Sequence, residues 1–173
     1  GKNVIEESLA SEINLTGAHE ILLITPNSMK SSKIVELIKS LLKDLTVNQI
    51  SVSAEHVPIE ALLNLITQIG EHKFDVVIAL GGGSTIDLAK GLRVFNALGM
   101  RNHKEIVDFI HSPNTLDTPP CTQISIPTTL SGAEYTRSFS VTDFSNKKKL
   151  SLTESLCSSQ TILYDPVATR DTP

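Results

Sequence analysis

Short continuous runs of apolar residues alternate along the chain with apolar residues at helical spacing. The continuous runs predict strands at 21–24, 50–52, 76–80 and 123–126. The helically spaced sets predict helices at 34–45, 59–69 and 84–97. A run without polar alternation, such as Val76 to Leu80, is typical of a strand that is covered on both faces, as the strands of parallel sheets are. The pattern therefore indicates a chain of the α/β class.

The order of strand, helix, strand and helix predicts right-handed crossovers and a mostly parallel sheet with helices on both faces. We therefore expect a Rossmann-like doubly wound fold. A further helix is predicted over 4–13, and 99–120 is predicted to be irregular, with one short helical turn around 104–110. After Pro127, isolated apolar residues predict short strands and a small β-hairpin near the C-terminal end, with 143–149 as its polar turn.

Composition restricts the classes of function. The 173 residues are 40% apolar and 20% charged, with a net charge of −4, which argues against disorder. The basic residues are scattered rather than clustered, so a nucleic-acid partner is not expected. No apolar run approaches the roughly 20 residues that span a bilayer, and we expect no signal peptide. Cys121 and Cys157 form no CxxC motif and suit a reducing compartment. We expect one cytoplasmic domain over 1–173.

Three successive glycines, Gly81 to Gly83, stand between the third predicted strand and its helix. Glycines allow a diphosphate to approach the backbone, and the first amides of a helix carry partial positive charge. Ser84 is predicted to be the N-cap, and Asp87 could complete a capping box. The alternative is that the glycines serve only a tight turn, followed by a common Ser-x-x-Asp helix cap, and that the turn binds no ligand. A ligand of an open α/β sheet binds at this end of the strands, so we favour a phosphate site.

The turn differs from the commonest phosphate-binding patterns. Ile86 stands where the GxGxxG fingerprint requires its third glycine, and the GxxxxGK[ST] pattern is also absent. The turn follows the third predicted strand rather than the first. The sequence therefore predicts a phosphate-binding turn that is unlike that of an ordinary NAD dehydrogenase.

Three segments together resemble one enzyme family. Residues 81–90 resemble the GGGSxxDxAK signature of the iron-containing (group III) alcohol dehydrogenases, and 126–134 resemble that family's PTTxGTGSE segment. Asp165-Pro166 matches the dipeptide that closes the family's nucleotide domain. The order and spacing of the three segments are those of the family, and they extend over nearly the whole chain.

Within the family, the sequence is more similar to the maleylacetate reductase branch. Thr25-Pro26 follows the first strand, where alcohol dehydrogenases commonly have Thr-Asp. Residues 56–60 resemble a His-x-Pro-[IV]-Glu segment of that branch, and 128–134 are also nearer to its variant.

The resemblance implies an NAD(P) site. Backbone amides of Gly82, Gly83 and Ser84 would hold the diphosphate, and Asp87 would lie near the nicotinamide unless it serves only as a cap. Thr128 and Thr129 would line the adenosine portion, although hydroxyls in a turn often bond only the local backbone. Lys149 would reach a ribose, or it is a solvated charge of the hairpin. The residues predicted to bind the coenzyme are Pro26, Asn27, Gly82, Gly83, Ser84, Asp87, Thr128, Thr129, Ser131 and Lys149.

Pro26 departs from the alcohol dehydrogenase pattern with a consequence for coenzyme choice. A carboxylate at this place accepts hydrogen bonds from the ribose and repels a 2′-phosphate. Proline does neither, so we expect both NADH and NADPH to bind.

No metal ligand or catalytic residue is predicted in this chain. The resemblance implies Fe²⁺ or Zn²⁺ bound by an Asp and three His of a following helical domain, which we expect to be absent here. The five histidines show no metal-site spacing. His56 is singled out because it follows a strand end on the crevice side. Alone, the chain is expected to bind dinucleotide weakly and to be inactive.

Several functions are compatible with these observations. The first is the dinucleotide-binding half of a maleylacetate reductase-like oxidoreductase, which transfers hydride from NAD(P)H to an enone dicarboxylate. A metal-dependent alcohol dehydrogenase acting on a small alcohol or aldehyde is the alternative. A dehydroquinate synthase-like lyase and a non-catalytic module that binds a sugar phosphate are less favoured. A small-molecule substrate and a homodimeric whole protein are expected.

Overall fold

The computed structural model describes residues 1–53, 56–113 and 120–170. Its helices are α1 (Val4–Thr16), α2 (Lys33–Leu41), α3 (Ile59–Ile69), α4 (Gly83–Ala97), α5 (His103–His111) and α6 (Pro166–Thr169). Its strands are β1 (Glu20–Pro26), β2 (Thr46–Val52), β3 (Val76–Gly81), β4 (Thr122–Pro127), β5 (Ser138–Asp143), β6 (Lys148–Thr153) and β7 (Thr161–Ile162). No helix within these residues is long and apolar enough to cross a membrane.

Five strands form a parallel sheet in the order β2-β1-β3-β4-β7, and β5 and β6 form a separate antiparallel hairpin. The chain runs outward from β1 to β2, then crosses back over β1 to β3 and continues to β4. The strand order therefore reverses between β1 and β3, which is the place where open α/β sheets bind ligands. The prediction of a mostly parallel sheet with a small hairpin is confirmed.

Alternate side chains of the central strands enter two different cores. Leu22 and Ile24 of β1 pack in one core with α3, α4, α5 and the hairpin. Ile21 and Leu23 pack in the other core with α1, α2 and α6. Because β1 and β3 are buried on both faces, their sequences are continuously apolar. The fold is doubly wound, as predicted.

Two local predictions were wrong in extent. The predicted short turn around 104–110 is a nine-residue helix, α5, which begins with a capping box between Asn102 and Glu105. The hairpin turn is shorter than 143–149, because Lys148 and Lys149 already belong to β6. Of the connection predicted over 99–120, residues 114–119 lie outside the described residues.

Asp165 connects the two ends of the fold. Its carboxylate accepts hydrogen bonds from the amide of Val167, at 3.0 Å, and from the amides of Asn3 and Ile5 at the start of α1, at 3.1 and 3.2 Å. Pro166 is the first residue of α6, where a missing amide hydrogen costs nothing. The Asp-Pro pair thus has a structural role, because it caps α6 and fixes α1.

Candidate functional site

The carboxyl ends of β1, β3 and β4 meet at the point where the strand order reverses. Pro26 is the last residue of β1, and Gly81 at the end of β3 pairs with Pro127 at the end of β4. The amide of Thr128 then donates to the Gly81 carbonyl at 2.9 Å, which carries the β4–β3 pairing one residue beyond the strands. These contacts bring Pro26, the glycines and Thr128 together.

Helix α4 begins at this meeting point of Pro26, Gly81–Gly83 and Thr128, which we call the glycine corner. Its N-cap is not the predicted residue. Gly82 is the N-cap, with an extended backbone and no side-chain hydrogen bond to the helix start, and Ser84 already lies within the first turn. The predicted capping box between Ser84 and Asp87 is therefore wrong. A glycine N-cap leaves the helix start without a side chain that could occupy its amides.

Two amides of the first turn point outward without a partner. The amides of Thr85 and Ile86 both donate to the Gly82 carbonyl, at 3.0 and 3.2 Å. In the described part of the chain, the amides of Gly83 and Ser84 have no hydrogen-bond acceptor. Unpaired amides at the positive end of a helix dipole form a ready anion-binding group.

The glycines also permit close packing of the segment that follows β4. A Cβ added to Gly82 would lie 3.1 Å from Oγ1 of Thr129, and one added to Gly83 would lie 2.8 Å from Cβ of Ser131. A side chain at either position would therefore displace its neighbour. The absence of these Cβ atoms places Thr129 and Ser131 directly on the corner, beside the free amides.

A cavity of about 550 Å³ opens on the α2 and α6 side of this corner. Four residues of the predicted coenzyme site line it: Pro26, Gly82, Thr128 and Thr129. The other lining residues are Ser28, Met29, Ser32, Lys33, Ile34, Val167, Ala168 and Arg170. No carboxylate is among the described residues that line the cavity, whereas two cationic side chains are.

Lys33 and Arg170 line the cavity but were not predicted from the sequence to belong to the site. Lys33 is the first residue of α2, and Arg170 directly follows α6. Exposed cations at helix ends are common in sequences, and nothing in the residue pattern separates these two from the others. Asn27 begins a short 3₁₀ turn, Asn27–Met29, beside the cavity but is not part of its lining.

Asp87 and Lys149 lie on the other side of the corner, next to the hairpin. The carboxylate of Asp87 accepts a hydrogen bond from the Ser140 amide at 3.2 Å, so Asp87 is not a helix cap. Burial raises the pKa of Asp87, and the charges of Lys90 and Lys149 partly oppose this. Lys149 is exposed and stands opposite Thr142 in the hairpin.

Lys90, at the end of the glycine motif, is fully buried. Its ammonium donates to the carbonyls of Ala133, Thr136 and Ser138, at 2.6, 2.8 and 2.9 Å. Burial lowers the pKa of Lys90. Sequence reasoning gave this residue no role, although a lysine on the apolar face of a helix is an unusual position. It holds the segment between β4 and β5 in place.

The described residues offer no metal centre. No group of three or more histidine, cysteine, aspartate or glutamate side chains is placed to hold an ion anywhere in 1–53, 56–113 or 120–170. His103 bonds Asp143 at 3.1 Å, but this pair attaches α5 to the hairpin and has no third ligand. These described ranges therefore provide no site for a metal ion.

The fold defines an α/β domain whose glycine turn, with two unpaired amides, lies at the switch point of its sheet, and the sequence comparison names the family. Residues 1–166 match the family described as iron-containing alcohol dehydrogenase. The chain belongs to this family.

Individual relatives show how much of the family's length is present. Dehydrogenase FUM7 of Gibberella moniliformis is 28% identical over 168 residues, which are 90% of this chain and 39% of the relative. Maleylacetate reductase 1 of Rhodococcus opacus is 25% identical over 166 residues, 96% of this chain and 39% of the relative. The chain thus spans about two-fifths of the length of these relatives.

A solved structure confirms the fold. The sulfoacetaldehyde reductase of Bifidobacterium kashiwanohense in complex with NAD⁺ superimposes with a TM-score of 0.87 at 19% identity. The superposition covers 100% of this chain and 45% of that protein.

Proposed function

We propose that this chain is the nucleotide-binding domain of an NAD(P)-dependent oxidoreductase, with the remaining catalytic groups on a second domain. The observation that carries this proposal is the pair of unpartnered amides, Gly83 and Ser84, at the switch point beside the 550 Å³ cavity. Membership of the iron-containing alcohol dehydrogenase family supports it.

The chain's own residues divide the coenzyme between two sides of the corner. The cavity beside Thr128 and Thr129 holds the adenosine portion, because its lining combines apolar side chains with hydroxyl groups. The amides of Gly83 and Ser84 donate to the diphosphate, which crosses the corner beside Thr129 and Ser131. The nicotinamide then lies on the side of Asp87 and Lys149. When bound, the coenzyme supplies the hydride.

The protein environment shifts the pKa of Asp87, which lies at the proposed nicotinamide end. Burial raises the pKa of Asp87, and the Ser140 amide opposes this by hydrogen bonding to the ionised form. Asp87 is thereby oriented toward the hairpin. Lys149 contributes a positive charge at the same place, which suits a ribose hydroxyl or an anionic substrate.

For the substrate, we propose a maleylacetate reductase-like reaction, the reduction of an enone dicarboxylate. The similarity to maleylacetate reductase 1 supports this choice. A metal-dependent alcohol dehydrogenase is the second candidate, supported by the family membership. Its metal ligands would have to come from outside the described residues.

Isothermal titration with NADH, NADPH and glucose 6-phosphate tests the proposal with two variants of one residue. Ser84→Pro removes an amide donor at a position where the first turn of a helix tolerates proline. Ser84→Ala removes only the hydroxyl. We expect Ser84→Pro to weaken NADH binding about tenfold or more and Ser84→Ala to weaken it by less than about threefold.

Circular dichroism and the melting temperature serve as the folding control for both variants. Unchanged NADH affinity in a folded Ser84→Pro variant would contradict the proposal. Tighter binding of glucose 6-phosphate than of either coenzyme would favour a sugar-phosphate module instead.

A further inference from the structure

The segment that leads from β2 toward α3 contains two consecutive residues in left-handed backbone conformation. His56 has φ 62° and Val57 has φ 47°. This region is unfavourable for residues other than glycine, above all for a β-branched residue such as valine. Such a conformation persists only where surrounding contacts determine it, and it is concentrated at functional sites.

Strand β5 provides those contacts. The amide of Thr142 donates to the Val57 carbonyl at 2.9 Å, and the Thr142 hydroxyl donates to the His56 carbonyl at 2.6 Å. Pro58 also forms a bridge with Thr142, and the Val57 side chain is buried. The backbone of the segment is therefore fixed to the hairpin, whereas the His56 side chain is exposed to solvent.

The same strand holds Asp87. Its carboxylate bonds the Ser140 amide, and Ser140 is two residues before Thr142, a distance of about 7 Å along a strand. Lys149 stands directly opposite Thr142 in the hairpin and interacts electrostatically with Asp87. Three ionisable residues from three separate elements are thus gathered along one short strand, beside the glycine corner.

The charge of this group favours an anionic ligand. Lys147 and Lys148 precede Lys149 in the hairpin. Of the acidic side chains in this region, Asp143 is already bonded to His103 and Asn146, and Asp87 accepts a hydrogen bond from the Ser140 amide. Local positive charge attracts and orients negatively charged substrates. In the proposed complex, the amides of the corner already bind the coenzyme phosphates. The basic side chains beside Asp87 are therefore available to bind a second anion.

We propose that His56 is a specificity-determining residue that binds a carboxylate of the substrate, next to Lys149 and opposite the nicotinamide. This inference rests on the proposed oxidoreductase function and adds the residue that recognises a carboxylate of the substrate. The imidazole N–H donates to the carboxylate, and the fixed backbone limits the entropy lost on binding to that of the His56 side chain.

Kinetics of the full-length enzyme test this inference. His56→Asn removes the imidazole and introduces a residue that tolerates the left-handed backbone conformation. His56→Lys replaces the imidazole with a cationic hydrogen-bond donor. His19→Asn is the matched control, since His19 is exposed and precedes β1 at the opposite end of the sheet. Each variant is assayed with maleylacetate and with a neutral short aldehyde, and its melting temperature is recorded.

We expect His56→Asn to raise the KM for maleylacetate about tenfold or more, with kcat and the KM for NADH within about twofold of the parent. The neutral aldehyde should show no change in KM. His56→Lys should restore most of the loss, and His19→Asn should behave as the parent enzyme.

Equal effects of His56→Asn on both substrates, or an unchanged KM for maleylacetate, would overturn the inference and leave the oxidoreductase function intact. If the parent enzyme reduced neither carbonyl compound with either coenzyme, the proposed function itself would be overturned, and this inference with it.

Discussion

The ammonium of Lys90 lies 2.8 Å from the carbonyl oxygen of Thr136, in a position without solvent contact. Lys90 belongs to the helix of the glycine corner, and Thr136 belongs to the segment that carries Ser131 and leads to the hairpin. This bond, together with the bonds from Lys90 to the carbonyls of Ala133 and Ser138, joins the helix of the glycine motif to the segment that follows β4. The arrangement of the site therefore depends on a buried charge that makes no contact with the proposed ligand.

Replacement of Lys90 should destabilise the protein strongly. Lys90→Met retains much of the side-chain volume but removes the ammonium that donates to the carbonyls of Ala133, Thr136 and Ser138. The amide and hydroxyl of Thr136 still donate to this group of carbonyls, but the loss of the buried charged donor costs about 3 kcal/mol of unfolding free energy. Urea unfolding followed by circular dichroism measures this. Lys43→Met, at an exposed lysine, is the control and should change the stability by less than about 0.5 kcal/mol.

The close approach of Gly83 and Ser131 predicts a coupled pair of substitutions. Gly83→Ala places a Cβ 2.8 Å from Ser131 and should destabilise the protein by about 1–3 kcal/mol. Ser131→Gly removes the obstructing atoms, so the double variant should recover much of that loss. A double-mutant cycle from urea unfolding gives the coupling energy, and simple additivity of the two effects would contradict the packing described.

Coenzyme preference should follow the charge of the cavity. Pro26 and Lys33 line it and no described lining residue carries a carboxylate, so we expect the affinities for NADH and NADPH to differ by less than about a hundredfold. Pro26→Asp should weaken NADPH binding about tenfold or more relative to NADH, because the carboxylate repels the 2′-phosphate. Isothermal titration measures both. A parent affinity for NADH more than about a hundredfold above that for NADPH would refute the expectation.

The stability of the fold should decrease at acid pH in part because Asp143 becomes protonated. Hydrogen bonds from Asn146, and then the bond with His103, hold the pKa of Asp143 below its ordinary value. A carboxyl group with a lowered folded-state pKa stabilises the protein above its unfolded-state pKa, and that contribution disappears as pH falls through the folded-state pKa. Thermal unfolding between about pH 5 and pH 2 measures this dependence.

The Asp143→Asn variant should lose part of that dependence on pH. Asp44→Asn, at an exposed carboxylate outside the hairpin, should retain it. Identical slopes of melting temperature against pH in the parent and in Asp143→Asn would show that this carboxylate does not contribute.

The sheet and the corner were predictable because their signals are local. Continuous apolar runs at β1 and β3 and the glycines after β3 each determine structure within a few residues. The Ser84 cap was mispredicted because a Ser-x-x-Asp pattern cannot show that Gly82, two residues earlier, is the N-cap. The extent of α5 was missed because nearby prolines and histidines mask its helical spacing.

Features that depend on distant parts of the chain were beyond sequence reasoning. The carbonyls that bond Lys90 lie 43 to 48 residues further on, and no local pattern announces them. Lys33 becomes part of a cavity only where α2 lies beside the end of β1, the segment after β4, and α6. The left-handed backbone of His56 and Val57 likewise follows from contact with Thr142, which no rule of turn composition predicts.

The most direct test of the account is a crystal structure of the protein grown with NADH. Diphosphate oxygens should lie about 2.7–3.2 Å from the amide nitrogens of Gly83 and Ser84, with the adenosine in the cavity beside Thr128 and Thr129. A diphosphate bound away from α4, or an adenosine outside that cavity, would contradict the assignment.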